Sequence, residues 1–200
     1  MPENKALDTL VFVYGTLKRG FLNYNDYLKP SCELGKAEYL CDGVTAQPDF
    51  CLVLRKERKV PCLYRPQEGV EAGYSVPGEV FRVDEDALEA LDILEGVDEA
   101  SYYREEIDIQ LASDGPGEAF IKGKTIKCHI YLKVFSEDLV AQENVPEYTA
   151  EHHVWYMSRV RVPKLRILQC IYGDEVIANV QREMDAGADF ADAWKKWGRV

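Results

Sequence analysis

The sequence predicts an α+β domain in which helices pack on mixed strands. Runs of β-branched and aromatic residues, several of them alternating in polarity, indicate strands along the first two-thirds of the chain. One segment, DEDALEALDILEG at residues 84–96, has the apolar spacing and the end signals of a helix. The chain has 200 residues without an internal repeat or a low-complexity linker, so we expect a single domain over residues 1–200.

Strands account for most of the elements predicted before residue 135. The first, Thr9 to Tyr14, is apolar as a buried strand is, and residues 20–30 suit a loop or a short helix ended by Pro30. The segments YYREEIDIQL and TIKCHIYLKVF alternate in polarity around a long turn, so we expect them to pair as a hairpin. Before them, strands are expected around residues 33–41, 50–54, 60–64 and 78–83.

The helix of residues 84–96 carries signals at both ends. Asp84 is a good N-cap, and Gly96 is suited to end the helix in a left-handed conformation. A packing stripe at helical spacing is formed by Leu88, Leu91 and Leu94. Nearer the C-terminus, residues 174–197 are predicted to be helical, with an interruption at Gly187.

The charge balance and the N-terminus argue against two classes of partner. Asp and Glu number 35 against 24 Lys and Arg, and a net charge of −11 would repel a nucleic-acid backbone. The N-terminal MPENKALDTL lacks a basic segment followed by an apolar one, and no window approaches the roughly 18 to 20 apolar residues of a membrane helix. We therefore expect a cytoplasmic protein that binds neither nucleic acid nor membrane. The sequence does not set its oligomeric state.

The cysteines and histidines form no recognisable catalytic or metal-binding pattern. The six cysteines are scattered without a Cys-x-x-Cys pair, which favours reduced thiols over a disulfide framework or a zinc site. Cys128 and His129 are neighbours on a predicted strand and so face opposite sides of it. The adjacent His152 and His153 are expected on a surface or amphipathic segment. No G-x-S-x-G, P-loop or G-x-G-x-x-G motif is present, so the sequence implies neither a covalent Ser or Cys enzyme nor a cofactor.

Two features remain as candidates for chemistry. Glu95 lies in the last helical turn, where the partial negative charge of a helix C-terminus raises the pKa of a carboxyl group towards the range useful for acid–base catalysis. The alternative is a solvated residue at a frayed helix end. The stretch VFVYGTLKRG ends a strand in a turn centred on Gly15, which either only reverses the chain or presents backbone N–H groups to an anion.

Four motifs occur in order over roughly residues 9–135, about two-thirds of the chain. They are Tyr14-Gly15-Thr16-Leu17, Gly78-Glu79-Val80-Phe81, Leu91-Asp92-Ile93-Leu94-Glu95-Gly96 and Tyr103-Arg104. Together they resemble the γ-glutamylcyclotransferase-like family, which includes the plant proteins called AIG2-like and whose last motif is a Tyr-x-Arg strand. The string VFVYGTLKRG with Asn23 after it is most similar to the γ-glutamylamine cyclotransferase branch. An extension of about residues 136–200 has no counterpart in the resemblance.

The resemblance implies a small mixed β-barrel flanked by helices, with a pocket at the mouth of the barrel. It implies that Glu95 is the acid/base and that the Tyr14–Leu17 turn cradles a γ-glutamyl group, with Gly15 allowing close approach of the backbone. Tyr103 and Tyr131 are then pocket residues, or else half-buried strand tyrosines without a ligand.

The reaction implied by the resemblance uses no cofactor and no metal. The α-amine of a small γ-glutamyl amine attacks its own γ-carbonyl and releases 5-oxoproline and a free amine. The alternatives are a γ-glutamyl-amino-acid or glutathione cyclotransferase, or a non-catalytic binding module with the same fold.

Overall fold

The structure, a computed structural model, describes residues 6–69, 71–157 and 164–198. Its strands are β1 (Thr9–Val13), β2 (Ala37–Thr45), β3 (Cys51–Arg55), β4 (Val60–Tyr64), β5 (Pro77–Val83), β6 (Tyr102–Leu111), β7 (Thr125–Lys133) and β8 (Glu143–Asn144). Its helices are α1 (Lys29–Glu33), α2 (Glu85–Glu95), α3 (Glu137–Val140), α4 (Ala150–Met157), α5 (Leu165–Tyr172), α6 (Asp174–Asp185) and α7 (Phe190–Trp197). A π-helical turn, Tyr24–Leu28, leads directly into α1.

Five strands close into a barrel in the order β1, β5, β2, β6 and β7. The barrel is mixed, because β1 runs parallel to β7, with Val11 opposite His129, while its other pairings are antiparallel. A separate three-stranded sheet has the order β4, β3, β8. The predicted hairpin of β6 and β7 is confirmed, and so is the α+β fold with a small mixed barrel flanked by helices.

Strand β1 is apolar along its length because both of its faces are buried. Phe12 lies in the cluster that fills the barrel, whereas Val11 and Val13 lie in a second cluster with Ala87 and Leu91 of α2. Alternate residues of a strand point to opposite faces, so α2 covers the outer side of the barrel at β1. This packing brings the C-terminal end of α2 close to the end of β1.

Helix α2 begins and ends where the sequence predicts. The Asp84 carboxylate accepts a hydrogen bond of 2.8 Å from the Ala87 N–H, and Gly96 adopts the left-handed conformation with φ of 70°. Because the glycine stops the helix at that position, Glu95 is its last residue.

The C-terminal helices pack against the side of α2 that faces away from the barrel. Ile167, Leu168 and Ile171 of α5 form a buried cluster with Ala90 of α2 and Tyr27 of the π-helical turn. The predicted helical segment 174–197 is confirmed as two helices, α6 and α7, separated around Gly187.

Two predicted boundaries in the first half of the chain are wrong. The strand expected around residues 33–41 begins only at Ala37, because α1 continues to Glu33. Pro30 does not end a helix but lies in the first turn of α1. The chain is already helical before α1, since the Lys29 N–H donates to the Tyr24 carbonyl, so the helical segment continues past this proline.

Candidate active site

The Tyr14–Leu17 turn follows β1 directly and is held by its own chain neighbours. The Lys18 N–H donates to the Gly15 carbonyl at 3.0 Å, and the Asn23 side-chain amide donates to the Thr16 hydroxyl at 2.7 Å. Within the described residues, the N–H groups of Gly15, Thr16 and Leu17 donate to no protein acceptor. The turn therefore offers backbone donors to a ligand.

Gly15 is required here by close packing. A Cβ atom at this position would lie 2.9 Å from Cγ of Pro61 in β4, closer than side chains normally approach. The sequence hypothesis explained the glycine by the approach of a ligand, and the structure gives an explanation within the protein itself. The Pro61 ring packs against the turn from the neighbouring sheet and lines the same cavity.

A cavity of about 230 Å³ separates the turn from the end of α2. All four residues of the Tyr14–Leu17 turn line it, and so do Glu95 and three tyrosines from distant parts of the chain. Among the described lining residues, Glu95 and Lys164 are the two whose side chains carry charge. The other polar lining groups are Thr16, Asn23, Tyr14, Tyr27, Tyr102, Tyr131 and Tyr156.

Glu95 is half-buried and faces this cavity. Its carboxylate has no hydrogen-bond partner within the described residues. Burial raises the pKa of its carboxyl group from an ordinary 4.5 to about 7, and the positive charges of Lys133 and Lys164 act in the opposite direction. A carboxyl group with such a pKa can both accept and donate a proton near neutral pH.

The carboxylate of Asp92, one helical turn earlier, is fully engaged. It accepts hydrogen bonds of 2.8 and 2.9 Å from the Arg104 guanidinium and one of 2.6 Å from the Tyr131 hydroxyl. The Tyr131 carbonyl in turn accepts a hydrogen bond of 2.7 Å from the hydroxyl of Tyr14. This chain of contacts ties α2, β6 and β7 to the first residue of the turn.

Burial raises the pKa of the hydroxyl groups that surround Glu95. For Tyr14 and Tyr102, burial is the main cause, and the negative charge of Glu95 adds to it. The Tyr131 pKa is also raised by burial, with Asp92 acting in the same direction. These tyrosines are therefore neutral hydrogen-bond donors at physiological pH.

The placement expected for Tyr103 is wrong, and its neighbour takes the position. Tyr103 is 37% exposed and lies outside the set of described cavity residues, whereas Tyr102 lines the cavity and its hydroxyl lies 3.2 Å from the Cys62 sulfur. Adjacent residues of β6 face opposite sides. Tyr102 and Arg104 also satisfy the Tyr-x-Arg pattern better than Tyr103 does. Tyr131 lines the cavity as expected.

Several cavity residues were not predicted from the sequence. Tyr156 of α4 and Lys164, just before α5, come from the C-terminal third, where no motif marked them. In the sequence, Asn23 is only part of the string that resembles the family. In the structure its side chain is buried and donates a hydrogen bond to the Thr16 hydroxyl.

The two adjacent histidines have separate local roles. His153 is buried between Phe21 and Tyr156, and its Nε2 accepts a hydrogen bond of 2.9 Å from the Leu22 N–H. Burial lowers the His153 pKa. His152 instead accepts a hydrogen bond from the Thr149 N–H. His153 thus attaches α4 to the segment that follows the turn.

The described part of the chain contains no group of three or more His, Cys, Asp or Glu side chains arranged to hold a metal ion. All six cysteines are free thiols. No helix in the described ranges has the length and apolar character needed to cross a membrane.

Comparisons with known proteins give one family. The family model described as gamma-glutamyl cyclotransferase, AIG2-like, matches residues 11–157. A human protein named gamma-glutamylaminecyclotransferase is 37% identical over 126 residues, covering 62% of this chain and 78% of its own. A Drosophila melanogaster protein named Troponin C-akin-1 protein is 32% identical over 163 residues, covering 80% and 88%. The crystal structure of a mouse AIG2-like protein has a TM-score of 0.61 at 26% identity and covers 78% of this chain and 98% of its own.

Proposed function

Because the chain belongs to the AIG2-like gamma-glutamyl cyclotransferase family, we propose that it releases 5-oxoproline and a free amine from γ-glutamyl amines. This proposal rests on one observation above all, the placement of the partnerless Glu95 carboxyl group in a cavity that it shares with the Tyr14–Leu17 turn. The name of the human relative, gamma-glutamylaminecyclotransferase, supports the choice of amines as leaving groups.

In the proposed reaction the substrate supplies its own nucleophile. The α-amine nitrogen forms a bond to the γ-carbonyl carbon and closes a five-membered ring, and the bond from that carbon to the amine nitrogen breaks. Such intramolecular attack reaches effective molarities of roughly 10⁵ M or more when the groups are well oriented. The cavity therefore needs to fold the substrate and move protons, and no enzyme nucleophile is required.

Glu95 performs both proton transfers in this scheme. As a carboxylate it takes a proton from the substrate's α-ammonium group, which frees the nitrogen lone pair for attack. As a carboxylic acid it returns that proton to the departing amine nitrogen when the carbon–nitrogen bond breaks. The ring nitrogen still carries one proton more than a lactam does, and the released amine takes it up as an ammonium ion, so the enzyme ends in the state in which it began. A pKa of about 7 suits both steps, because neither form is then strongly disfavoured near neutral pH.

The Tyr14–Leu17 turn holds the negative charges of the substrate. Its N–H groups at Gly15, Thr16 and Leu17 have no acceptor within the described residues and can donate to the α-carboxylate or to the oxyanion that develops on the γ-carbonyl oxygen. The contacts of Asn23 with Thr16 and of Tyr14 with Tyr131 keep these donors in place before the substrate arrives.

The test is to incubate the purified full chain separately with γ-glutamyl-ε-lysine, γ-glutamyl-alanine and glutathione and to measure 5-oxoproline by mass spectrometry. We expect release from γ-glutamyl-ε-lysine, loss of release in Glu95→Gln, and retention in Glu99→Gln, a control at an exposed carboxylate just beyond α2. Circular dichroism shows whether each variant is folded.

Two results would contradict the proposal. Equal rates for wild type and a folded Glu95→Gln variant would remove Glu95 as the acid/base. Absence of 5-oxoproline from all three compounds would favour a binding module with the family fold.

A further inference from the structure

Lys164 brings a positive charge to the cavity from a part of the chain outside the family match. Its Nζ donates a hydrogen bond of 3.3 Å to the carbonyl of Ile93, one of the last carbonyls of α2, which lack partners within the helix. The family model matches residues 11–157, so Lys164 lies beyond that span. The residue therefore lies in a part of the chain to which the family match assigns no role.

The Lys164 ammonium group still has N–H donors available for a ligand in this position. It has three N–H donors, and the Ile93 carbonyl accepts one of them. Within the described residues it forms no ion pair, unlike Lys18 and Lys36, which pair with Glu147 and Asp86. Glu95 faces the same cavity, but with a pKa of about 7 it is ionised in only part of the molecules at neutral pH. A ligand carboxylate can therefore find an available cation at Lys164.

The exposure of Lys164 indicates which half of a substrate it meets. Lys164 is exposed, whereas Gly15, Thr16 and Leu17 of the turn are buried. In the proposed reaction the γ-glutamyl group must reach both the turn and Glu95, so the departing amine points towards the exposed side of the cavity. A carboxylate on that amine then lies on the side of the cation.

We infer that Lys164 is a specificity-determining residue that favours γ-glutamyl compounds whose departing amine carries a carboxylate, as an amino acid does. This inference rests on the proposed function and names the substrate class within it. An exposed ion pair contributes modestly, so the preference amounts to about fivefold in kcat/KM.

The experiment uses two pairs of substrates in which the members differ by one carboxylate. They are γ-glutamyl-alanine with γ-glutamyl-ethylamide, and γ-glutamyl-6-aminohexanoate with γ-glutamyl-pentylamide. Release of 5-oxoproline is measured for the full chain, for Lys164→Met, whose side chain is unbranched, uncharged and one atom shorter, and for Lys195→Met, at an exposed lysine on α7, as the control.

We expect Lys164→Met to lose about fivefold in kcat/KM on the carboxylate-bearing member of at least one pair and less than about twofold on its partner. The difference should shrink in 1 M salt, where charges are screened beyond about 3 Å, and Lys195→Met should behave as wild type.

Equal losses on both members would assign Lys164 to the γ-glutamyl half and overturn the inference, as would the absence of any loss. If the wild-type chain turns over γ-glutamyl-ε-lysine but none of the four compounds, the inference fails and the proposed function stands. If it turns over none of the five, the proposed function itself fails, which is a distinct result.

Discussion

The last turn of α2 carries two carboxylates with opposite surroundings. Asp92 is bound by Arg104 and by the Tyr131 hydroxyl, at distances of 2.6 to 2.9 Å. Glu95 faces a cavity and has no hydrogen-bond partner within the described residues. The two residues are one helical turn apart, so their sequence neighbourhood is nearly the same. Tertiary packing alone makes them different.

Asp92 is an anchoring carboxylate, whereas Glu95 is a carboxylate without hydrogen-bond partners in the described residues. A carboxylate that accepts three hydrogen bonds holds its neighbours in position, and Asp92 thereby ties three elements to the Tyr14–Leu17 turn. A carboxylate without partners, buried against neutral hydroxyl groups, has its pKa raised towards neutrality. In the proposed mechanism the helix end therefore provides the geometry of the site with one residue and its proton chemistry with the other.

The largest expected effect is on turnover. Glu95→Gln should lower kcat for 5-oxoproline release by about 10³-fold, since a positioned acid/base contributes roughly 10² to 10⁴. Asp92→Asn should lower it by less than about tenfold, because the amide oxygen can still accept a hydrogen bond from Arg104 or Tyr131. The rates are measured on the same substrate at saturation. If the two variants lost activity equally, the division of roles between them would be wrong.

The second expected effect is on stability. Asp92→Asn should lower the free energy of unfolding by about 1–3 kcal/mol, since it weakens hydrogen bonds to a charged group and disturbs the buried Tyr131 hydroxyl. Urea unfolding at pH 7 measures this change, with the exposed Asp98→Asn as the matched control. An unchanged midpoint for Asp92→Asn would show that the contacts of this carboxylate do not anchor the helix end.

The smallest expected effect is a gain in the free energy of unfolding, and it depends on pH. The folded-state pKa of Glu95 lies above its unfolded value, so folding favours the protonated form, and this stabilisation is lost as pH rises through about 7. Glu95→Gln carries no such charge and should be more stable than wild type at pH 8.5 by on the order of 1–2 kcal/mol, a figure reduced because Glu95 is half-buried. The difference should be much smaller at pH 5 and should disappear below the ordinary pKa of 4.5. Thermal melts at both pH values test this, and a pH-independent difference would contradict it.

The local elements of the fold follow closely from the sequence. The ends of α2 were predicted because Asp84 and Gly96 act through contacts within a few residues. The same locality placed Glu95 at the helix end and the turn at the end of β1. The prediction that Pro30 ends a helix failed because a proline is compatible with two positions. It can follow the last turn of a helix or stand in the first one, and the local sequence does not distinguish them.

The composition of the cavity depended on long-range packing that the sequence does not display. The sequence predicted Tyr103 in the cavity, and the structure has Tyr102, one residue earlier on β6. Because neighbouring residues of a strand face opposite sides, an error of one residue puts the wrong side chain on the cavity side. Tyr156 and Lys164 reach the cavity from the C-terminal third, and no local pattern reports that proximity. Gly15 was recognised as special, but its contact with Pro61 joins two separate sheets and was not foreseeable.

The most direct test of the account is a ¹³C NMR titration of the Glu95 side-chain carboxyl group, assigned from the signal that Glu95→Gln removes. The account predicts a midpoint at about pH 7, because burial without a hydrogen-bond partner disfavours the ionised form. A midpoint near 4.5, the ordinary value for a glutamate, would mean that the group is solvated, and the assignment of Glu95 as the acid/base would then fail.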